Sequence, residues 1–372
     1  MLWPMLQNKV LFDHQAFTMQ RNGGVSRYFV ELFLHLPSLG VEVNRQIFIH
    51  RNKILSSQKN LENNFRFFDI ENDRCVKYLN FINEKLSDIY IHRRDFDIFH
   101  PTYYKIPNRI PAKKPVVITV YDFIHEKFSK SVVRDKTITR KKDAILRADH
   151  IFCISENTKT DLLKLYDIDE STVSVTHLAA SRFWLEGKRI KQLTEFRRCI
   201  LYVGARDGYK NFLSLMKAFA NSKILSRDFR ILAFGGGSFT KQERDLQKQL
   251  GLPPECMIHV EGGDEVLRKL YQSVHLMVYP SHYEGFGLPI LEAMHAGCAV
   301  ICSNAGSIPE VGGGAVKYFD PCDTEELLAQ LEAVAYDEGL IDELIELGSV
   351  QAQTFSWEKT AQQTITGYNR VT

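Results

Sequence analysis

Short apolar runs alternate with longer helical patterns along the whole of this 372-residue chain. In the first half the runs Lys9 to Phe12, Val43 to Ile49, Ile98 to His100, Val116 to Tyr121 and His150 to Ile154 are predicted as strands. In the second half they are Cys199 to Val203, Arg230 to Phe234, Met257 to His259, Leu276 to Tyr279 and Ala299 to Cys302. None shows the strict polar alternation of an antiparallel sheet with one face in water. Strands separated by helices must pair in parallel, because each crossover helix returns the chain to the same end of the sheet and covers one of its faces. The expected fold class is α/β, with parallel sheets covered on both sides.

The length suits two domains of ordinary size. The rhythm breaks between Val175 and Glu195, so the first domain is predicted over 1–180 and the second over 181–372. The last segment, FSWEKTAQQTITGYNRVT, reads as an amphipathic helix over 355–372 that must dock on a neighbour, and domain one is the expected place. Hydrophobic residues make up 44% and charged residues 25%, the balance of a soluble globular protein. A net charge of +2 argues against broad neutralisation of nucleic-acid phosphates. The start, MLWPMLQNKVLFDHQ, has neither a membrane-spanning apolar run nor a leader pattern, and a cytoplasmic protein is expected. Seven scattered cysteines, none spaced Cys-x-x-Cys, fit buried free thiols better than zinc.

The chemistry concentrates in SHYEGFGLPILEAMHAG, Ser281 to Gly297. LMVYPS before it reads as a buried strand. Leu288 onward reads as a helix with Pro289 in its first turn, where a missing N–H costs little. Unpaired first-turn amides, the helix dipole, and Gly285 and Gly287 make this loop an anion site open to close backbone approach. Phe286 and Leu288 complete the turn. Carboxylates beside phosphate are repelled by it, so Glu284 and Glu292 are expected on hydroxyls: Glu292, along the helix, suits a ribose, and Glu284 a sugar.

In ILYVGARDGYKNFLSLMKAF a strand ending at Val203 is followed by Gly204, Arg206 and Lys210 and then a helix, a candidate phosphate clamp in the same sheet. Asn22-Gly23-Gly24 repeats the strand, glycine loop and helix order in the first domain. FGGGSF at 234–239 lacks dinucleotide-fingerprint spacing and reads as a turn lining the cleft.

Together these segments resemble the GT4 family of retaining GT-B glycosyltransferases, the group 1 type of bacterial polysaccharide and O-antigen synthesis. EGFGLPILE is similar to that family's Glu-x7-Glu motif, YVGARDGYKN to its phosphate segment, and CISENTKTDL to its segment after the last strand of domain one. EGGDEVLRKLYQSVHLMVYPS resembles the approach to the motif, and FSWEKTA the terminal helix, so the likeness covers essentially the whole chain. It implies two Rossmann-like α/β/α domains facing a cleft, with a C-terminal helix crossing back to domain one. It further implies Arg206 and Lys210 on the donor diphosphate, Glu292 on the ribose, Glu284 at the donor sugar and Gly24 near the diphosphate. Backbone around Val260 to Gly263, including Gly262, would hold the base. The implied reaction is transfer of a hexose from a nucleotide-diphosphate sugar to a polysaccharide or lipid-linked saccharide, with retained configuration and no metal or other cofactor. UDP-glucose or a similar UDP-hexose is preferred from the breadth of the family, and GDP-mannose is the alternative.

Many relatives carry a histidine where this chain has Val120-Tyr121-Asp122, so either His125 substitutes for it or Tyr121 and Asp122 fill that corner. His100 lies near the same edge, with a packed core histidine as the competing reading. Asp95-Phe96-Asp97 and Asp167-Ile168-Asp169 have the spacing of a metal-binding pair but read as turn acids. The acceptor is expected in domain one near Lys53 to Asn64 and Thr102 to Pro111. The basic run from Lys127 to Lys142 reads as a solvated helix face, with contact to a lipid phosphate or a membrane surface as the other reading. A nucleotide-sugar epimerase on the same scaffold would keep its product sugar on the nucleotide. A catalytically inactive saccharide binder would not need the intact Glu284, Glu292, Arg206 and Lys210 set.

Overall fold

The computed structural model describes residues 8–61, 66–92, 95–107, 110–111, 114–128, 136–185, 196–206 and 208–372. By its contacts the chain separates into two compact units, Met1–Leu178 with Trp357–Thr372, and Ala179–Ser356. Residues 186–195 of the expected boundary segment lie outside the described residues, as do 1–7 of the N-terminal stretch.

The first unit contains strands β1 (Lys9–Phe12), β2 (Glu42–Arg45), β3 (Ile49–His50), β4 (Arg66–Phe67), β5 (Ile98–His100), β6 (Val117–Val120), β7 (His150–Cys153) and β8 (Val173–Val175). They form parallel ladders in the orders β2-β1-β5 and β6-β7-β8, with a parallel bridge from Phe99 to Val116 between the two and a separate β3-β4 pair. The predicted strand from Val43 to Ile49 is two strands. Gln46 N–H still donates to the Phe12 carbonyl at 2.8 Å, but the amides of Phe48 and Ile49 turn to Asn83 Oδ1 at 3.3 and 3.2 Å. A side chain on the helix Asp73–Tyr90 thus takes over the backbone amides beyond Gln46, where the ladder ends.

The terminal helix, Trp357–Tyr368, belongs to this first unit. Trp357 packs on Tyr28 of the helix Gly24–His35, Thr360 Oγ1 donates to the His177 carbonyl at 2.6 Å, and the Tyr368 hydroxyl meets His100 Nδ1 at 2.8 Å. His100 is therefore a core residue. It is fully buried among Phe12, Phe29 and Phe152, and its Nε2 lies 2.9 Å from Thr119 Oγ1.

The second unit holds one parallel sheet of strands β9 (Cys199–Val203), β10 (Arg230–Phe234), β11 (Met257–Val260), β12 (Leu276–Tyr279), β13 (Ala299–Ser303) and β14 (Lys317–Phe319). Its order is β11-β10-β9-β12-β13-β14. The chain starts in the middle, builds outward on one side, then returns past β9 and builds outward on the other, the doubly wound order of a Rossmann-like sheet. Helices bury apolar stripes against it. In Phe212–Asn221 the buried Phe212, Leu215, Met216 and Phe219 recur every three or four residues and join the core formed by Ile200, Ile231 and Val278.

Burial pushes the His100 imidazole down to about 3, so the folded state holds it neutral. An unfolded imidazole titrates near 6.5, so the stability His100 supplies is complete above that value and is lost as pH falls towards 3. Denaturant titration at about pH 7 and about pH 4.5 should show wild type losing about 2 kcal/mol more than His100→Gln. Equal losses would contradict the buried neutral histidine.

Candidate functional site

All strands of the second unit's sheet are parallel, so the loops after β9, β10, β11, β12 and β13 leave from one edge. The order reverses between β9 and β12. The loops leaving those two strands therefore diverge and open a crevice, the usual place for a ligand in such sheets.

Three interactions tie the β9 and β12 loops together. The His282 amide donates to the Tyr209 carbonyl at 2.7 Å. Asn211, whose backbone is left-handed at φ 58°, reaches the carbonyls of Pro280 and Pro321 with its amide at 3.0 and 2.9 Å. Lys210 Nζ donates to Glu284 Oε1 at 2.7 Å, with both side chains largely buried (16% and 9% exposed). The ammonium also lies over the rings of Tyr209 and Tyr279, at 5.3 and 5.5 Å from their centres. The nearby Glu284 carboxylate adds to burial in holding the Tyr279 phenol well above its ordinary value, so Tyr279 stays protonated.

The β12 loop is braced from the other side by the β13 loop. Ser307 Oγ lies 2.9 Å from each of the carbonyl oxygens of Glu284 and Phe286 and shares its one proton between them. Gly306 has φ 61°, and a side chain there would start 3.1 Å from the Glu284 backbone, so this close approach requires glycine. Gly287 caps the helix Leu288–His295 at φ 115°, a conformation that presents the first-turn amides, with Pro289 where it costs no hydrogen bond. Gly285 and Phe286 are buried, and the Phe286 ring packs on Phe355. Leu288 is half-buried. One helical step beyond, Glu292 Oε2 lies 3.5 Å from the buried Tyr271 hydroxyl.

Arg206, expected beside Lys210 as a second phosphate cation, is turned into the fold. Its side chain is 3% exposed. Nε donates to Glu243 Oε1 at 2.7 Å, Nη1 to the Gly235 carbonyl at 2.6 Å, and Nη2 to the carbonyls of Gly237 and Ser238 at 2.7 and 3.0 Å. The guanidinium stacks over Phe239 as well. The physical reason is that the β10 loop, with successive positive φ angles at Gly235, Gly236 and Gly237, aims its carbonyls inward and needs a multidentate donor. Glu243 was missed in the sequence, although Thr240-x-x-Glu243 is a readable capping box, and both of its hydrogen bonds form. Gly204 follows β9 and its amide donates to the Phe234 carbonyl at 3.0 Å. Val260 and Gly262 lie at the end of β11, with Gly262 exposed and Val260 half-buried.

In the first unit, Gly24 is exposed as the first residue of the helix Gly24–His35. His125 is exposed on the short helix Ile124–Phe128 after β6. Tyr121 is buried against Tyr28, Tyr103 and Tyr104, and Asp122 Oδ1 accepts the Ile124 amide at 3.0 Å, so these two build the turn. Of the basic run, 129–135 lies outside the described residues. Lys141 does not belong to a solvated face: it is 1% exposed, paired with Glu126 at 2.8 Å and stacked on Phe123. The two Asp-x-Asp sequences are structural. Asp95 pairs with Lys9, Asp97 accepts the Lys9 amide, and Asp169 caps a turn through the Ser171 amide. Of the expected acceptor loops, 62–64 and 108–109 lie outside the described residues.

Residues 22–179 match the model of the family described as Glycosyltransferase Family 4, and residues 186–349 that described as Glycosyl transferases group 1. The O-antigen chain mannosyltransferase B of Escherichia coli is 30% identical over 288 residues, 73% of this chain and 74% of that protein. The chain is a group 1 glycosyltransferase. A serotype-specific mannosyltransferase WbdA of E. coli is 41% identical over 237 residues, but that stretch is 29% of its length. Among solved structures, a glycosyltransferase from Rickettsia africae is 18% identical, with a TM-score of 0.70 over 98% of this chain and 99% of that one. The sucrose-phosphate synthase of Thermosynechococcus elongatus is 17% identical, with a TM-score of 0.74 over 98% of both. These likenesses bear out the expected GT-B fold. Among the described residues of this glycosyltransferase, no helix is long and apolar enough to cross a membrane.

Removing the Arg206 guanidinium strands Glu243 as a buried charge and frees the β10 carbonyls. Arg206→Met should lower the unfolding free energy of the enzyme by about 3–5 kcal/mol in denaturant titration. Replacing Glu243 by Met as well should cost less than the sum of the single changes. A single variant as stable as wild type would contradict the inward-facing role.

Proposed function

We propose that this group 1 glycosyltransferase binds a nucleotide-diphosphate sugar at the carboxyl edge of β9 and β12 and transfers its hexose to a saccharide acceptor with retained configuration. The observation that carries this reading is the Lys210–Glu284 pair, set in the crevice directly before the glycine-capped helix Leu288–His295. Lys210 and the first-turn amides supply positive charge to the diphosphate, and Glu284, released when the diphosphate takes over Lys210, accepts from sugar hydroxyls. Glu292, already oriented toward the Tyr271 hydroxyl, accepts from the ribose. Backbone at Val260 to Gly263 meets the base. Arg206 is a positioning residue, fixing the Gly235–Ser238 loop on the same edge.

In the reaction the bond between the anomeric carbon and the diphosphate oxygen breaks, and the departing charge falls on the diphosphate. An acceptor hydroxyl oxygen forms the new bond and gives up its proton to the departing diphosphate oxygen. Lys210 and the helix amides are already aimed where that charge develops, the form of stabilisation that costs no reorganisation. Lys210 and the helix amides supply positive charge where a metal ion would, so the transfer is proposed to be metal-independent.

For the sugar, the E. coli relatives named as mannosyltransferases support mannose, carried by GDP, over the UDP-hexose that the breadth of the family favours. Incubation with GDP-mannose or UDP-glucose, each with a panel of mannosides as acceptor and in chelator, should release GDP from the first and little UDP from the second. Lys210→Met should reduce release by about 10²–10³-fold, the usual cost of losing one preorganised charge-stabilising donor. Release of UDP alone would return the donor to UDP-hexose. No release from either would overturn the reading.

A further inference from the structure

The helix Asp73–Tyr90 is apolar on two sides, and the first unit covers only one of them. Its inner stripe, Leu79, Asn83 and Ser87, recurs every fourth residue and is buried. Asn83 holds the Phe48 and Ile49 amides and the Tyr90 ring packs on Phe48, so this stripe fixes the helix to the fold. A surface helix needs no second one.

On the outer side Tyr78, Ile82, Leu86 and Ile89 recur at three- or four-residue spacing, with Phe81 beside them. Tyr78 is 68% exposed, Phe81 and Ile89 54% each and Leu86 36%, and Ile82 is half-buried. Single exposed apolar residues are ordinary, but a row of them along one helix face has the form of a helix-packing seam. The charges on its flank say what covers it. Arg74 and Asp88 stand about four turns apart, on the same flank at opposite ends of the row. Neither has an ion-pair partner among the described residues, whereas Lys85 lies over the Phe81 ring at 5.7 Å and Glu84 is paired with Lys105 at 2.6 Å. A cation at one end and an anion at the other complement an antiparallel copy of the same helix. A parallel copy would set Arg74 against Arg74.

We propose that the outer face of Asp73–Tyr90 is a two-fold interface with a second copy of this chain. A two-fold axis brings one surface against itself in the antiparallel sense that these charges require. With the axis crossing near Ile82, Tyr78 meets Leu86 of the second copy, and Arg74 of each copy comes beside Asp88 of the other. An anionic membrane suits the face less well, because the unpaired Asp88 on its flank would be repelled. The helix is about 27 Å long and covers less than a standard interface, so the dimer is a weak one that forms in the micromolar range.

The test is sedimentation velocity of the full chain across the micromolar range, where wild type should pass from monomer to dimer. Tyr78→Glu should weaken the dimer about tenfold or more, since it puts an unpaired charge at the centre of the covered face. Arg74→Glu and Asp88→Arg should each weaken it, and the double variant should restore it with the signs of the pair exchanged. Both changes favour the helix dipole, an acid near the start and a base near the end, so a lost dimer in either is not a lost fold. A monomer throughout the range, a dimer undiminished in Tyr78→Glu, or a double variant no tighter than the single ones would each overturn the proposal. So would wild-type monomer floating with phosphatidylglycerol vesicles when Tyr78→Glu does not, which would assign the face to a membrane.

Discussion

Parallel pairing of β9 with both β10 and β12 is the constraint on which the second unit's site depends. It sends every following loop to one edge. It also leaves the β9 and β12 loops without a strand between them, so they must find their own contacts. The Tyr209–His282 backbone bond, the Asn211 amide and the Lys210–Glu284 pair are those contacts. Their result is a lysine brought to a carboxylate 74 positions further along the chain and to the helix N-terminus that follows it.

The two cations of the β9 loop show how little sequence spacing says about direction. Arg206 and Lys210 are four residues apart, and both were expected to face a diphosphate. Lys210 reaches Glu284 in the crevice, whereas Arg206 serves the β10 loop and Glu243. Arginine suits the inner position because its planar fork meets several carbonyls at once, which a lysine cannot do. Lysine suits the outer one, since a compact ammonium exchanges a carboxylate for a phosphate without losing a fitted geometry.

Much of this was legible beforehand. Alternation of apolar runs and helical patterns specified the parallel α/β class, and Gly-Phe-Gly-Leu-Pro marked the strand-to-helix turn at Ser281–Leu288 because each of those residues has a conformational meaning. The split of Val43 to Ile49 was not legible, because it depends on Asn83 arriving from a distant helix. β8 and β14 were missed for a related reason: three-residue strands at a sheet edge carry too little apolar pattern to stand out from a loop. His100 was ambiguous in sequence and became a core residue only once Tyr368 and Thr119 closed on its two nitrogens. The Arg206–Glu243 pair needed the tertiary fold, although the capping box on its acidic side was open to view.

On the proposed function the diphosphate lies against the β9 loop and the amides that open the helix Leu288–His295. Hydrogen–deuterium exchange with and without saturating GDP or UDP measures this directly. Exchange should slow in the peptides spanning Gly204 to Asn211 and Gly285 to Leu291. Protection confined to other segments, with these two unchanged while nucleotide is bound, would contradict it.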